Sequence, residues 1–129
     1  MDVLGIAASG LNMHQAWLNA ISDNIANVND ARNPSQKAFQ AEYIVANEAV
    51  GNNGVEVTGV ERGSAQGKLV YDPSNPVANK AGYVRMPDID LGEQMSDLIM
   101  AQRGFEANSS MVQGAEESFQ AALQIGKNS

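Results

Sequence analysis

Hydrophobic positions near the start of the chain advance by alternating steps of three and four: Leu4, Ala7, Leu11, His14, Leu18, Ile21, Ile25 and Val28. This is a heptad seam, and it predicts one long amphipathic helix. No proline interrupts it before Pro34, and at ~1.5 Å per residue it would run about 40 Å. The C-terminal stretch has the same period. Leu91, Leu98, Phe105, Val112 and Phe119 form a bulky row, and Ala101, Asn108, Ala115 and Ala122 a small one beside it. Met95, Gln102, Ser109, Glu116 and Leu123 flank the pair. A small row lets a neighbouring helix approach closely. Pro87 ends the preceding segment, Asp88 or Asp90 is placed to cap the second helix, and Gly126 is placed to stop it.

The middle changes period. In "AFQAEYIVANEAV" Phe39, Ala41, Tyr43 and Val45 alternate on one face, "GNNG" is a turn signal, and "VEVTGVERG", "KLVYDP" and "GYVRMP" are short strand-like pieces set off by Gly and Pro. The expected fold is α+β: an N-terminal helical segment over 1–33, a small β-rich insert over 34–87, and a C-terminal helical segment over 88–129. The helices would pack as a coiled-coil-like pair. One antiparallel pair leaves much of each apolar stripe uncovered, so the terminal helices are expected to meet other subunits. The alternative is a small α+β domain whose helices only cover the sheet.

Composition narrows the function. The net charge is −7, the two ends are acidic while the middle is balanced, and no basic stripe exists, which argues against nucleic acid and anionic lipid as partners. The chain has no cysteine, so disulfides and thiol chemistry are excluded. No apolar run is long enough for direct membrane insertion. The N-terminal stretch lacks the basic region of a cleavable signal peptide, so export, if it occurs, is expected by another route.

Catalytic constellations are missing. His14 is the lone histidine and lies on the seam, where packing is its expected role. Glu116 and Glu117 are helix neighbours and point apart. The glycine-rich pieces lack the Lys-Ser/Thr of a phosphate loop, and no nucleophile elbow occurs. Neither cofactor nor metal is expected. Trp17 sits on the helix flank, placed for an interface or for covering the insert.

Asparagine is a mediocre helix former, yet "SDNIANVND" carries Asn24, Asn27 and Asn29. Ser9-Gly10-Leu11 followed by Ser22-x-Asn24-Ile25-Ala26-Asn27 resembles the N-terminal signature of the bacterial flagellar axial proteins, the rod and hook family. Residues 68–112 resemble the proximal-rod branch of that family through Val70-Tyr71-x-Pro73-x-x-Pro76, Gly82-Tyr83-Val84, Pro87, Met95, Ala101-x-Arg103 and Glu106-Ala107-Asn108. The resemblance covers almost the whole chain. One departure is "VNDARNPSQKAF", which replaces the Thr-x-Gly step that often follows the signature.

The resemblance implies a structural protein without catalysis. Its terminal helices would build a torque-transmitting tube with copies of itself and with other rod proteins, while the insert projects outward. It implies export through the flagellar type III apparatus, a place in the periplasmic part of the basal body, and the membrane-embedded base ring as a further neighbour. The export-gate pattern of a Phe and an apolar residue four on is met by Phe39–Tyr43 and Phe119–Leu123, although core pairing explains both. The expected assembly surface comprises Leu4, Leu11, Leu18, Ile21, Asn24, Ile25, Asn27, Leu91, Leu98, Ala101, Phe105, Asn108, Val112, Ala115 and Phe119. Asn24 and Asn108 are expected to bridge subunits with their amides, and Asn29 to end its helix in a left-handed cap. An unrelated soluble coiled-coil adaptor is the rival reading; a cell-wall hydrolase is a distant third, with no length to hold its domain.

Overall fold

The computed structural model describes residues 3–128. Helix α1 spans Val3–Ala26 and helix α2 spans Leu91–Lys127. Between them lie β1 (Glu42–Glu48), β2 (Val55–Arg62), β3 (Lys68–Tyr71) and β4 (Tyr83–Met86). The architecture is α+β, as the two periods predict. The strands form two separate antiparallel hairpins, β1–β2 and β3–β4. The first pairs Glu42 with Arg62 at its root and Glu48 with Val55 near its tip. Its turn carries Gly51 at φ 77°, Asn52 at φ 57° and Gly54 at φ 89°. "GNNG" supplies residues that tolerate this left-handed backbone. The second hairpin is closed at its turn end by a Tyr71–Tyr83 edge-on contact at 5.3 Å.

The linker after α1 is drawn into the β region. Arg32 and Arg85 exchange backbone hydrogen bonds at 2.9 and 2.7 Å. The Arg85 guanidinium donates to the Pro34 carbonyl at 2.8 and 3.2 Å, and also to that of Gln66. One side chain thereby ties the linker to the loop ahead of β3.

The buried apolar residues are mostly small: Ala7, Ala20, Ala38, Ala41 and Ala101, with Ile21, Val84 and Ile89. Such a core works by close approach of backbones, and it offers limited apolar area to a chain this short. Polar fastening therefore matters more. Asn24 is 1% exposed and lies where α1, β1 and α2 meet. Its Oδ1 accepts from the Glu42 backbone N–H at 2.7 Å, while its Nδ2 donates to the Glu42 carbonyl at 3.0 Å and to Gln94 Oε1 at 3.1 Å. Toward β1 the amide acts like one more residue of a strand. Gln94, itself 2% exposed, completes the contact from α2. Asn24 is expected from the sequence to bridge subunits; in the folded chain its three bonds all lie within one subunit.

Two helix ends also depart from expectation. α1 does not end in a left-handed Asn29, because Asn52 is the only non-glycine residue of positive φ among the described residues. Instead Asn27 closes the last turn. Its Nδ2 donates to the Asp23 carbonyl at 2.8 Å, and its backbone N–H reaches the same oxygen at 3.1 Å. α2 starts at Asp90, whose side chain accepts from the Glu93 N–H at 3.2 Å. It continues through Gly126 to Lys127, since Asn128 caps it by donating to the carbonyls of Gln124 and Ile125.

Replacing Asn24 with Ala is expected to destabilise the isolated subunit. The helix gains up to about 0.7 kcal/mol in propensity. The Glu42 backbone groups and Gln94 lose buried partners, each costing roughly 1–3 kcal/mol. Urea denaturation should show a lower midpoint for Asn24→Ala; an unchanged or higher midpoint would refute the intrachain role.

Candidate assembly surface

The antiparallel helix pair is built on reciprocal notches. A Cβ placed on Gly10 would lie 2.5 Å from Asn108 Nδ2, and one on Gly104 would overlap the His14 imidazole. Each helix thus supplies a glycine and, four residues on, a side chain that fills the other's gap. Residues four apart share one helix face. His14 Nδ1 lies 2.8 Å from the Gly10 carbonyl. A carbonyl can only accept, so Nδ1 carries the proton. Trp17 lies one turn along, with ring centroids 6.1 Å apart. The β1–β2 tip rests on the same helix: Ser9 Oγ accepts from the Val55 N–H at 3.1 Å and donates to the Ile6 carbonyl at 2.6 Å.

The contact face of α1 is therefore rotated slightly from the leucine seam. Ala7, Gly10, Ala20, Ile21 and Asn24 are its buried residues, whereas Leu4, Leu11, Leu18 and Ile25 are half-buried along the flanks. Small residues lie closest to the neighbouring axis and larger ones straddle it. On α2, Ala101 is fully buried, and Leu98, Phe105, Asn108, Val112 and Ala115 are half-buried. Ile21, Asn24 and Ala101 thus belong to the subunit interior. Asn27 is half-buried at the α1 end, and Leu91 and Phe119 are exposed. Periodicity missed Gly10, Gly104 and Gln94, which are polar or side-chainless; the signal available for the glycines was their spacing from Asn108 and His14.

Beyond Ala115 the character of α2 changes. Val3 and Leu4 meet Ala115, Ser118 and Phe119 around an open groove of about 480 Å³. From Glu116 to Lys127 every residue of the helix is exposed. Phe119, Leu123 and Ile125 stand 64%, 55% and 71% exposed, and the first two are four residues apart on one face. Among the described residues no cluster of His, Cys, Asp and Glu could hold a metal ion, and no helix is long and apolar enough to cross a membrane.

The family model for the flagellar basal body rod FlgEFG protein C-terminal region matches residues 80–125, the stretch that holds β4 and nearly all of α2. Across the whole chain, flagellar basal-body rod protein FlgC of Borreliella burgdorferi is 32% identical over 95% of this chain and 94% of its own length. The chain belongs to the FlgC family of flagellar basal-body rod proteins. FlgC of Escherichia coli O157:H7 is 31% identical over 98% of both chains. FlgC of Bacillus subtilis is 28% identical over 96% of both. The resemblance carried by Ser9-Gly10-Leu11 and Asn24-Ile25-Ala26-Asn27 is thus confirmed at family level. In this FlgC-family chain, Ser9, Gly10 and Asn24 all make contacts within the subunit.

Tyr43 faces the start of α2. Burial raises its pKa above 10.0, and the carboxylates of Glu93, Asp88 and Asp97 add to the shift. The folded state then holds this proton more tightly than the unfolded chain. Its contribution to stability is intact below pH 10 and lost as pH rises through the folded value. Alkaline titration of tyrosinate absorbance, compared with Tyr43→Phe, should show one group titrating late; a normal midpoint for Tyr43 would contradict the shift.

The notches give a prediction of opposite signs. Gly104→Ala adds helix propensity worth about 1 kcal/mol, but it displaces the His14 ring and its bond to Gly10. We expect net destabilisation despite that gain, as overpacking costs about 1–3 kcal/mol. In a His14→Ala background the overlap is gone and Gly104→Ala should stabilise. Urea midpoints of the four proteins form the cycle; additive effects would show that the ring does not occupy the notch.

Proposed function

We propose that the chain is a proximal-rod subunit that packs through its helix ends with copies of itself and with other flagellar rod proteins, forming a stiff tube that transmits torque. The observation that carries this reading is the uncovered length of α2 after Ala115, where Phe119 stands at the rim of the Val3–Leu4 groove and Leu123 and Ile125 are largely exposed. Exposed apolar surface of this kind, on two faces of the helix end, is suited to association. In this reading residues 1–33 and 88–129 are the assembly segments, and 34–87 form the outward insert. Leu91, Asn108 and Phe119 are contact residues, together with the half-buried flanks Leu4, Leu11, Leu18, Ile25, Asn27, Leu98, Phe105, Val112 and Ala115. Asn108 suits such a role: it fills the Gly10 notch, is half-buried, and its amide makes no hydrogen bond with any described residue. The protein works by packing and not by catalysis. It reaches the periplasmic part of the basal body through the flagellar type III apparatus, and the base ring is its neighbour at the foot of the rod.

The double substitution Leu123→Asp, Ile125→Asp removes apolar surface that is largely exposed in the subunit. Its urea midpoint should match wild type while cells export the protein but build few rods and lose motility. Wild-type motility would refute assembly through this end. A sedimentation series in which the native protein forms one small closed oligomer at all concentrations would favour the adaptor.

A further inference from the structure

The turn that joins β1 to β2 carries a chemical feature that assembly does not use. Asn53 is the only asparagine in the chain followed by glycine. With no side chain on Gly54, nothing on that residue shields its backbone nitrogen. Ala49 donates its N–H to the Gly54 carbonyl at 2.8 Å. The return bond of the ladder is not made, and the Gly54 N–H has no acceptor among the described residues. The Asn53 carboxamide is folded back over its own turn, its Nδ2 donating to the Val50 carbonyl at 2.7 Å. Both reacting groups thus lie in a tip where Gly51, Asn52 and Gly54 all have positive φ.

We propose that Asn53 is a site of spontaneous deamidation, and that the change releases the hairpin tip from α1. The deprotonated backbone nitrogen of Gly54 attacks Cγ of Asn53. A nitrogen–Cγ bond forms, the Cγ–Nδ2 bond breaks, and Nδ2 takes up a proton and leaves as ammonia. Water then opens the cyclic imide at either carbonyl, giving aspartate or isoaspartate. The net change replaces NH2 with OH, which ionises to a carboxylate. No oxidant or reductant is involved.

The consequence follows from what the tip touches. A carboxylate cannot donate to the Val50 carbonyl, so that bond is replaced by a repulsive pair of oxygens. Isoaspartate also inserts an extra main-chain atom immediately before Gly54. Gly54 lies so close over Ser9 that a Cβ would overlap Ser9 Oγ, and the next residue, Val55, holds the Ser9 hydroxyl. A longer main chain cannot keep both placements. The inference is independent of the assembly reading, because it concerns a single subunit.

The test is incubation of the purified, folded protein at neutral and mildly alkaline pH beside a synthetic peptide of residues 50–56. Peptide mapping should find the NH2-to-OH change at Asn53 alone, faster at higher pH and at a rate comparable to the peptide's, with isoaspartyl methyltransferase labelling the product. Hydrogen exchange should show loss of protection at the Val55 amide in the converted fraction. Asn53→Asp should show the same loss at once, in a protein whose helices remain protected. An intact Asn53 after the peptide has converted would overturn the site. Undiminished Val55 protection in both the converted protein and Asn53→Asp would overturn the release.

Discussion

One buried amide holds this fold's three parts in register. Asn24 offers a donor and an acceptor to the backbone of Glu42, and a second donor bond to Gln94. Neither a hydroxyl nor a carboxylate matches that set, because only an amide supplies two donors beside an acceptor. Burial makes the choice sharp, since a displaced β1 or a slipped α2 would leave polar atoms without water and without partners. In keeping with this, no buried side-chain nitrogen or oxygen among the described residues lacks a partner. Apolar contacts made chiefly by alanine would tolerate several alignments of the two helices. The amide selects one.

The same logic governs the helix pair farther along. Gly10 against Asn108 and Gly104 against His14 bring two backbones together by removing side chains at matched points and filling each gap from the opposite helix. This contact defines an alignment and leaves the larger residues to either side. Leu11, Leu18, Phe105 and Val112 are consequently only half-covered. A subunit built in this way completes its own fold with small and polar residues and leaves its apolar flanks half-covered, the surface we propose for contact with neighbouring subunits.

Much of the architecture was legible in the periodicities. The three-four seam and the seven-residue rows marked α1 and α2, and Gly, Pro and Asn marked the turns between strands. Asp90 was one of two acids suited to start α2. What could not be read was the direction in which a polar residue is satisfied. An asparagine inside a helix is equally compatible with a neighbour in another chain and with a strand of its own chain eighteen residues on. Periodicity also ranks residues by hydrophobicity, so it centred the α1 face on leucines when glycine and alanine occupy the closest approach. Gly126 looked like a stop because glycine tolerates a left-handed cap, but Asn128 closed the helix in another way.

The β1–β2 hairpin is fastened to α1 near both of its ends. Its root is held by Asn24 at Glu42 and its tip by Ser9 at Val55. The anchors are fifteen residues apart on the helix, a span of about 22 Å. A flap joined at one end would swing about its root. A ribbon riveted at both ends acts as a splint: bending α1 between the anchors must stretch or compress strands stiffened by their own cross-bonds. The hairpin thus lends lateral rigidity to the helix it lies on, and a sideways push on the insert is shared between two widely spaced points instead of turning a hinge.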